Sequence, residues 1–264
     1  MVAATKYATL RERYAKGTGP TGTLKSIKGF TVTSNGEVIE NVEISGSLRI
    51  EADNVVVRNF RLLAGGAPYG IQMTDGAKNV KLQRGEVRDA SSALLYGSDF
   101  LAESLELHHG GGDAIKAILR ATVRQSWIHH LGSNANAHAD GNQTRSGGQL
   151  FFGDNYFDMP SPGTPEYPGS PWKSNACQII QAADGPIDGV TFERNIFDGG
   201  NYVLYVTSPD NFGMPKNVRI VDNLFGDNYK YGLLNKDGAL FESGNRWLET
   251  GIAIPDLSAA KKAA

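Results

Sequence analysis

The chain has 264 residues, 26 basic against 28 acidic side chains and a formal net charge of −2; with no basic block, this excludes the electrostatic footprint of a nucleic-acid-binding surface. A chain this long can bury a substantial core in one elongated or two compact units, and a single cysteine, Cys177, excludes an intrachain disulfide, so packing must hold the fold. No apolar run reaches the ~18 residues of a membrane span, and the first twenty residues lack the apolar stretch of a secretory leader.

In chain order, residues 1–20 read as a helical segment. Tyr7, Leu10 and Tyr14 recur at helical spacing with Arg11, Glu12 and Arg13 between them, and Gly17-Thr18-Gly19-Pro20 stops the pattern. Its expected role is to cap the end of the following repeat array, or to serve as an attachment segment. From residue 21 to 250 the 3.6-residue period is gone. Short alternating apolar segments replace it, each followed by a small residue and one or two apolar residues. Examples are Val55-Val56-Val57-Arg58-Asn59-Phe60, Val190-Thr191-Phe192-Glu193-Arg194-Asn195-Ile196-Phe197 and Val218-Arg219-Ile220-Val221-Asp222-Asn223-Leu224-Phe225.

The small residue, at 41, 59, 85, 104, 126, 155, 195, 223 and 245, returns at intervals of roughly 20–30 residues, the signature of a solenoid. Helices are lacking and the unit is shorter than a propeller blade, so one strand-turn-strand unit per coil of an all-β, single-stranded β-helix of about nine coils is expected, at ~4.8 Å per coil. The recurrent Asn suits a bend in left-handed conformation, and its stacked side chains can hydrogen-bond along the rod. Residues 251–264 read as a C-terminal tail with a frayed end. Two insertions break the rhythm: Met159 to Trp172, with five prolines, and Ser208 to Pro215. Such loops commonly project from the binding face of a repeat array.

A second strand follows each Asn corner. Aligning these strands places Gln72, Lys116, Gln143 and Gln178 on one ladder, with Asp113, Asp140, Asn175 and Asn201 just before it. Ile71, Ile115 and Cys177 alternate inward; Asn142 takes an inward slot and needs partners there. Lys116 and Arg145 suit an anionic substrate. Asp113 and Asp140 on neighbouring turns read in two ways: as the start of a Ca²⁺ site, which needs six to eight oxygens, or as the carboxylate pair of a glycoside hydrolase. The adjacent pairs His108-His109 and His129-His130 point to opposite faces of a strand, which favours stacked corner histidines over a transition-metal site. Trp172 and Tyr205, with Tyr69, Tyr96, Tyr202 and Tyr231, offer rings on which sugars stack.

The repeated Val-x-Ile/Phe-x-x-Asn-x-Phe rungs, with Ser126-Trp127-Ile128-His129-His130 and His138-Ala139-Asp140-Gly141-Asn142-Gln143, resemble the pectate-lyase-like superfamily of right-handed parallel β-helices over about Thr23 to Trp247. That superfamily contains polysaccharide lyases, glycoside hydrolases and phage tailspike depolymerases. No full lyase or polygalacturonase signature is present, so the resemblance implies fold more than activity. It implies a protein that binds a polysaccharide, with cleavage of an acidic chain by β-elimination as the preferred reading and hydrolysis second. The site would comprise Lys116 as base, Arg145 and His138 as acid or carboxylate clamp, Gln72, Gln143, Gln178, Trp172 and Tyr205 as substrate contacts, and Asp113 and Asp140 as ligands of Ca²⁺, the one cofactor implied. The alternative is a phage tail or virion component that recognises a cell-surface glycan, with or without depolymerising it. Neither nucleic acid nor membrane insertion is expected. A homotrimer or a virion assembly, and an extracellular or virion location, complete the expectation.

Overall fold

The computed structural model describes residues 2–133, 137–159, 172–209 and 211–260, with side chains from Lys6 onward. The interior of the proline-rich insertion therefore lies outside the described residues. Among the described residues no helix is long and apolar enough to cross a membrane.

The chain coils as a parallel β-helix. Two sheets, of 16 and 9 strands, are built from parallel ladders that join each strand to its counterpart in the next coil. Three early strands, Val38–Ser45, Val56–Leu63 and Val80–Arg88, run unbroken through the larger sheet. From Phe100 onward each coil crosses that sheet as two short strands: Phe100–Glu103 and Glu106–His108, then Ala121–Arg124 and Trp127–His129. The larger sheet thus forms two rows meeting at a corner, and the nine-stranded sheet makes the third side.

The corner is where the recurrent small residue acts, in two ways. Asn41 and Asn59 adopt left-handed φ values of 57° and 49°, and the Asn59 amide donates to Asn41 Oδ1 at 2.7 Å near the surface. In later coils the left-handed position falls one residue earlier, on Gln125, Asp154, Arg194 and Asp222, and the residue that follows, Ser126 in the first case and Asn in the others, is fully buried. Asn155, Asn195, Asn223 and Asn245 form a buried amide ladder. The backbone N–H of Asn155 donates to Asn195 Oδ1 at 3.1 Å, and Asn195 Nδ2 donates to the Phe152 carbonyl at 2.8 Å. Asn223 and Asn245 repeat this arrangement. The turn takes these backbone groups out of the strand ladder, and a buried amide is the side chain that satisfies a donor and an acceptor together.

The core inside the three sides is apolar and stacked, with Phe157, Phe197 and Phe225 at ring separations of 5.2 and 5.5 Å. Cys177 is fully buried. The described part of the tail closes the last coil: Ile254 and Leu257 are buried in the core, and the Leu257 N–H donates to Glu242 Oε2 at 3.0 Å. Their apolar side chains cover the open end of the stack.

Helix α1 (Val2–Gly17) lies along the flank of the rod, its side chains resting on rungs from Trp127 to Leu248 instead of across an end. Its Tyr7 and Tyr14 pack with Trp127, Tyr156, Ile196 and Leu248, and Trp127, Tyr156, Ile196 and Leu224 are register partners on successive coils. An outward stripe this apolar would be an exposed patch without the helix. Arg11 clamps it with a bidentate bridge to the fully buried Asp158, at 2.7 and 3.0 Å.

Two stability predictions follow from these contacts. Asn195→Leu leaves the Asn155 N–H and the Phe152 carbonyl without this partner. At ~1–3 kcal/mol per unsatisfied buried group, urea unfolding should show a loss of at least ~2 kcal/mol, whereas Asn41→Gly, exposed and still free to hold its φ, should stay within about ±0.5 kcal/mol. Arg11→Met strips a cationic partner from a buried carboxylate, which costs about 3 kcal/mol; limited proteolysis should then cut within residues 1–20 while the far-UV β spectrum persists.

Candidate functional site

The nine-stranded sheet carries an outward column of side chains in strict register. Arg49 faces Gln72, Gln72 faces Tyr96, and Tyr96 faces Lys116. Because Ile115 faces Asn142, the next residues, Lys116 and Gln143, are neighbours. Gln143 then faces Ile179, Ile179 faces Tyr205, and Tyr205 faces Asn235. Adjacent members stand about 4.8 Å apart, so the column forms a strip along the rod. Gln72, Tyr96, Lys116, Gln143 and Tyr205 are each half-buried.

Gln178 does not belong to this strip. A bulge between Ala139 and Asp140, where Ser174 faces Ala139 but Ala176 faces Asp140, inserts one residue. A one-residue offset turns a side chain to the opposite face, so Gln178 points into the core between Asn142 and Leu204 with no exposed surface. Ile179 takes its outward place. The correction removes Gln178 from the substrate contacts. The inward Asn142 does find partners: its Oδ1 accepts the Ala117 N–H at 3.2 Å, and its Nδ2 donates to Thr144 Oγ1 at 3.1 Å.

Beside the strip, the acidic residues predicted on neighbouring turns meet. Lys116 Nζ lies 3.3 Å from Asp113 Oδ2 and 3.5 Å from Ser92 Oγ. Asp113 Oδ1 accepts the Asp140 backbone N–H at 2.8 Å. Asp140 Oδ1 accepts Asn175 Nδ2 at 3.0 Å, and Asn175 Oδ1 accepts Asn201 Nδ2 at 3.0 Å. Burial raises the Asp113 carboxyl, opposed by the Lys116 charge. Burial, then the Asp113 charge, pushes Asp140 well above the usual carboxylate range. Two carboxyls this close and this dry do not both ionise readily.

The same geometry tests the Ca²⁺ expectation. The ion needs six to eight oxygens, yet both carboxyls here accept N–H donors and an ammonium already stands against Asp113. No group of three or more His, Cys, Asp or Glu able to hold a metal occurs among the described residues. Asp113 is engaged by the Lys116 ammonium and Asp140 by the Asn175 amide.

The other expected residues are distributed around this centre. His138 is exposed just before the strand Ala139–Thr144 and, with Lys173, Ser174, Asn175, Asn201 and Lys230, lines a shallow depression of about 180 Å³. Arg145 lies past the other end of that strand and forms a bidentate bridge to Asp184 at 2.6 and 2.8 Å. Trp172 stands edge-on to His109 and His130, at 4.9 and 5.6 Å, and braces a corner. His108 stacks on His129 and His109 on His130, at 4.9 and 5.6 Å: stacked corner histidines. Left-handed φ values of 53° and 51° at His109 and His130 supply the bend. Tyrosines bracket the strip. Tyr69 stacks on Tyr96 at 4.5 Å, and toward the far end Tyr202 meets Tyr205 at 5.4 Å and Tyr231 at 5.7 Å.

Sequence reasoning missed Lys173, Ser174 and Lys230, which sit in irregular segments or at a strand start and repeat in no neighbouring coil. The stacked Asn175 and Asn201 beside them were the available signal.

Fold and face together define a parallel β-helix protein with a long polar and aromatic surface on its nine-stranded side. The Agl-KA catalytic domain has a similar structure, with a TM-score of 0.61 at 12% identity over 79% of this chain and 43% of that one. The chain thus spans less than half the length of that domain, and at this identity the likeness is one of fold alone. An alginate lyase from Paenibacillus sp. str. FPU-7 aligns with a TM-score of 0.48 at 12% identity, over 85% of this chain and 97% of that one, a likeness too low to bear on function. No protein-family model matches the sequence, and no curated protein does.

The buried acidic pair sets a pH dependence. A carboxyl whose folded pKa is raised stabilises the fold below its unfolded value, 3.8 for Asp140, and that stability is lost as pH rises through the folded value. Asp140→Asn removes this titration. Unfolding midpoints measured from pH 4 to 8 should therefore show the variant gaining on the wild type as pH rises, with the smallest difference at pH 4.

Proposed function

We propose that the protein binds an acidic polysaccharide along the nine-stranded face and cleaves it by β-elimination at Lys116. The observation that carries this reading is the in-register strip Tyr96, Lys116, Gln143. It sets a cation between tyrosine clusters, above an acidic pair whose carboxyls burial raises. Sugar rings stack their apolar faces on tyrosine while the polar ladder meets their hydroxyls, and an extended strip accommodates a chain better than a single sugar. The reading also takes the chain as a pectate-lyase-like β-helix of about nine coils, with right-handed winding supported by the general preference of parallel crossovers. A polysaccharide ligand goes with an extracellular or virion-borne protein, and a trimeric or virion assembly remains part of the proposal.

In this mechanism Lys116 acts as the base, released from its 3.3 Å bridge to Asp113 as the substrate enters. The neutral amine takes the C5 proton of a uronate; the C4–C5 double bond forms as the C4–O bond breaks. The new ammonium then protonates the departing oxygen. Binding without cleavage is the second reading, favoured by the 3.3 Å bridge that engages Lys116 with Asp113.

The test is incubation with pectate, alginate and bacterial capsular polysaccharide. Elimination gives unsaturated products with ultraviolet absorbance, hydrolysis gives reducing ends without it, and binding with no product supports the recognition reading. Lys116→Gln should keep the β spectrum and lower the elimination rate at least ~10²-fold, the scale of a lost general base. An active Lys116→Gln variant would remove Lys116 from the chemistry.

A further inference from the structure

The depression beside the strip holds the strongest unexplained feature of the molecule. Ser174 is 2% exposed, and its Oγ is buried without a hydrogen-bond partner among the described residues. A buried hydroxyl left unpaired costs free energy, and this one lines the depression formed with His138, Lys173, Asn175, Asn201 and Lys230. Three basic side chains converge on the opening that contains it.

The neighbouring charges leave that field in place. The adjoining carboxyl is Asp140, held by burial well above the ionisation of an ordinary aspartate, so it opposes an entering anion weakly. Its charged neighbour Asp113 is matched by Lys116 at 3.3 Å. The Asn201 and Asn175 amides are aligned toward Asp140, each donating through Nδ2, which fixes them as neutral walls. Tyr231, exposed beside Lys230, has the Lys230 ammonium 5.0 Å from its ring centroid and touches Tyr202. An aromatic wall beside a cationic floor suits an anionic sugar more than a bare inorganic ion.

We propose that this depression is a subsite for the carboxylate of a uronic acid, with Ser174 Oγ donating to the anion, Lys173 and Lys230 supplying positive charge, and His138 lining the rim. The inference rests on the polysaccharide reading above and narrows it to a glycan that carries uronates on more than one of its units. The residues come from the coils that follow Lys116 on the same sheet, at about 4.8 Å per coil. A chain laid along the strip with one uronate over Lys116 therefore extends toward the depression. Ser174 and Lys230 act here as specificity residues, with no part in proton transfer.

The experiment compares oligouronates from pectate and alginate with the same oligosaccharides after carboxyl reduction, by titration calorimetry. Wild type should bind the acidic forms more tightly. Ser174→Ala and Lys230→Ala should each weaken acidic oligomers by about tenfold, the scale of a lost hydrogen bond to a charged group, and leave the reduced forms unchanged. Far-UV spectra of both variants confirm the fold. Unchanged affinity for the acidic oligomers, or equal losses for acidic and reduced ones, overturns the subsite while leaving the polysaccharide reading intact. If wild type binds no oligosaccharide, that reading fails. The subsite is then decided with monomeric galacturonate and glucuronate, by the proton resonances of the His138 imidazole. A saturable shift in wild type that both variants lose sustains the subsite, and its absence overturns it.

Discussion

The buried amide ladder Asn155, Asn195, Asn223 and Asn245 is the interaction on which the later half of the rod depends. A solenoid must turn its chain at every corner, and each turn removes backbone donors and acceptors from the strand ladders in a place water does not reach. One asparagine repairs two losses: Asn195 accepts the N–H of Asn155 and donates to the Phe152 carbonyl. Both partners belong to the preceding coil, so the repair also sets the register between coils. Hydrophobic stacking alone, as in the Phe157–Phe197–Phe225 column, tolerates sliding; a hydrogen-bonded amide does not. In-register coils are in turn what line up Tyr96, Lys116 and Gln143 as a strip.

The outer surfaces of the rod meet different fates. On the flank, rungs bearing Trp127, Tyr156 and Ile196 would expose an apolar stripe, and α1 covers it with Tyr7 and Tyr14, tied down by Arg11 to Asp158. On the nine-stranded side the outward residues are polar or tyrosine apart from Ile179, and among the described residues no helix lies over them. The charge pattern deepens the contrast. The flank buries His129, whose imidazole is pushed well below its usual range by burial and by His108. The open side keeps a cation at the surface above carboxyls that burial raises.

The one-residue bulge at Ala139 and Asp140 shows how little separates a surface residue from a core residue in such a fold. Gln143 and Gln178 follow small residues in similar contexts, and alignment by pattern places them together. The inserted residue sends Gln178 inward and gives its outward register to Ile179, itself largely buried. It also leaves Asn175 beside Asp140, where it hydrogen-bonds the buried carboxyl, and Ser174 at the floor of the cationic depression. The same local irregularity that defeated the pattern built the most polar corner of the face.

Much of this protein was legible in its sequence. The recurrent Asn, the alternation of apolar residues and the Tyr7-Leu10-Tyr14 stripe are local signals, repeated coil after coil, and they determined a parallel β-helix preceded by one amphipathic helix. They also placed Gln72, Lys116 and Gln143 on one ladder with Asp113 and Asp140 just before it, the arrangement that the register shows. Only the tertiary structure decided that α1 lies along the flank, that Ile254 and Leu257 close the last coil, that Arg145 turns to Asp184, and that Ser174 is buried, unpaired among the described residues, between Lys173, Lys230 and His138. Each of these depends on which segments, tens of residues apart, come to face one another and with what one-residue offset. Local periodicity carries no information about that offset; the packing of one coil on the next sets it.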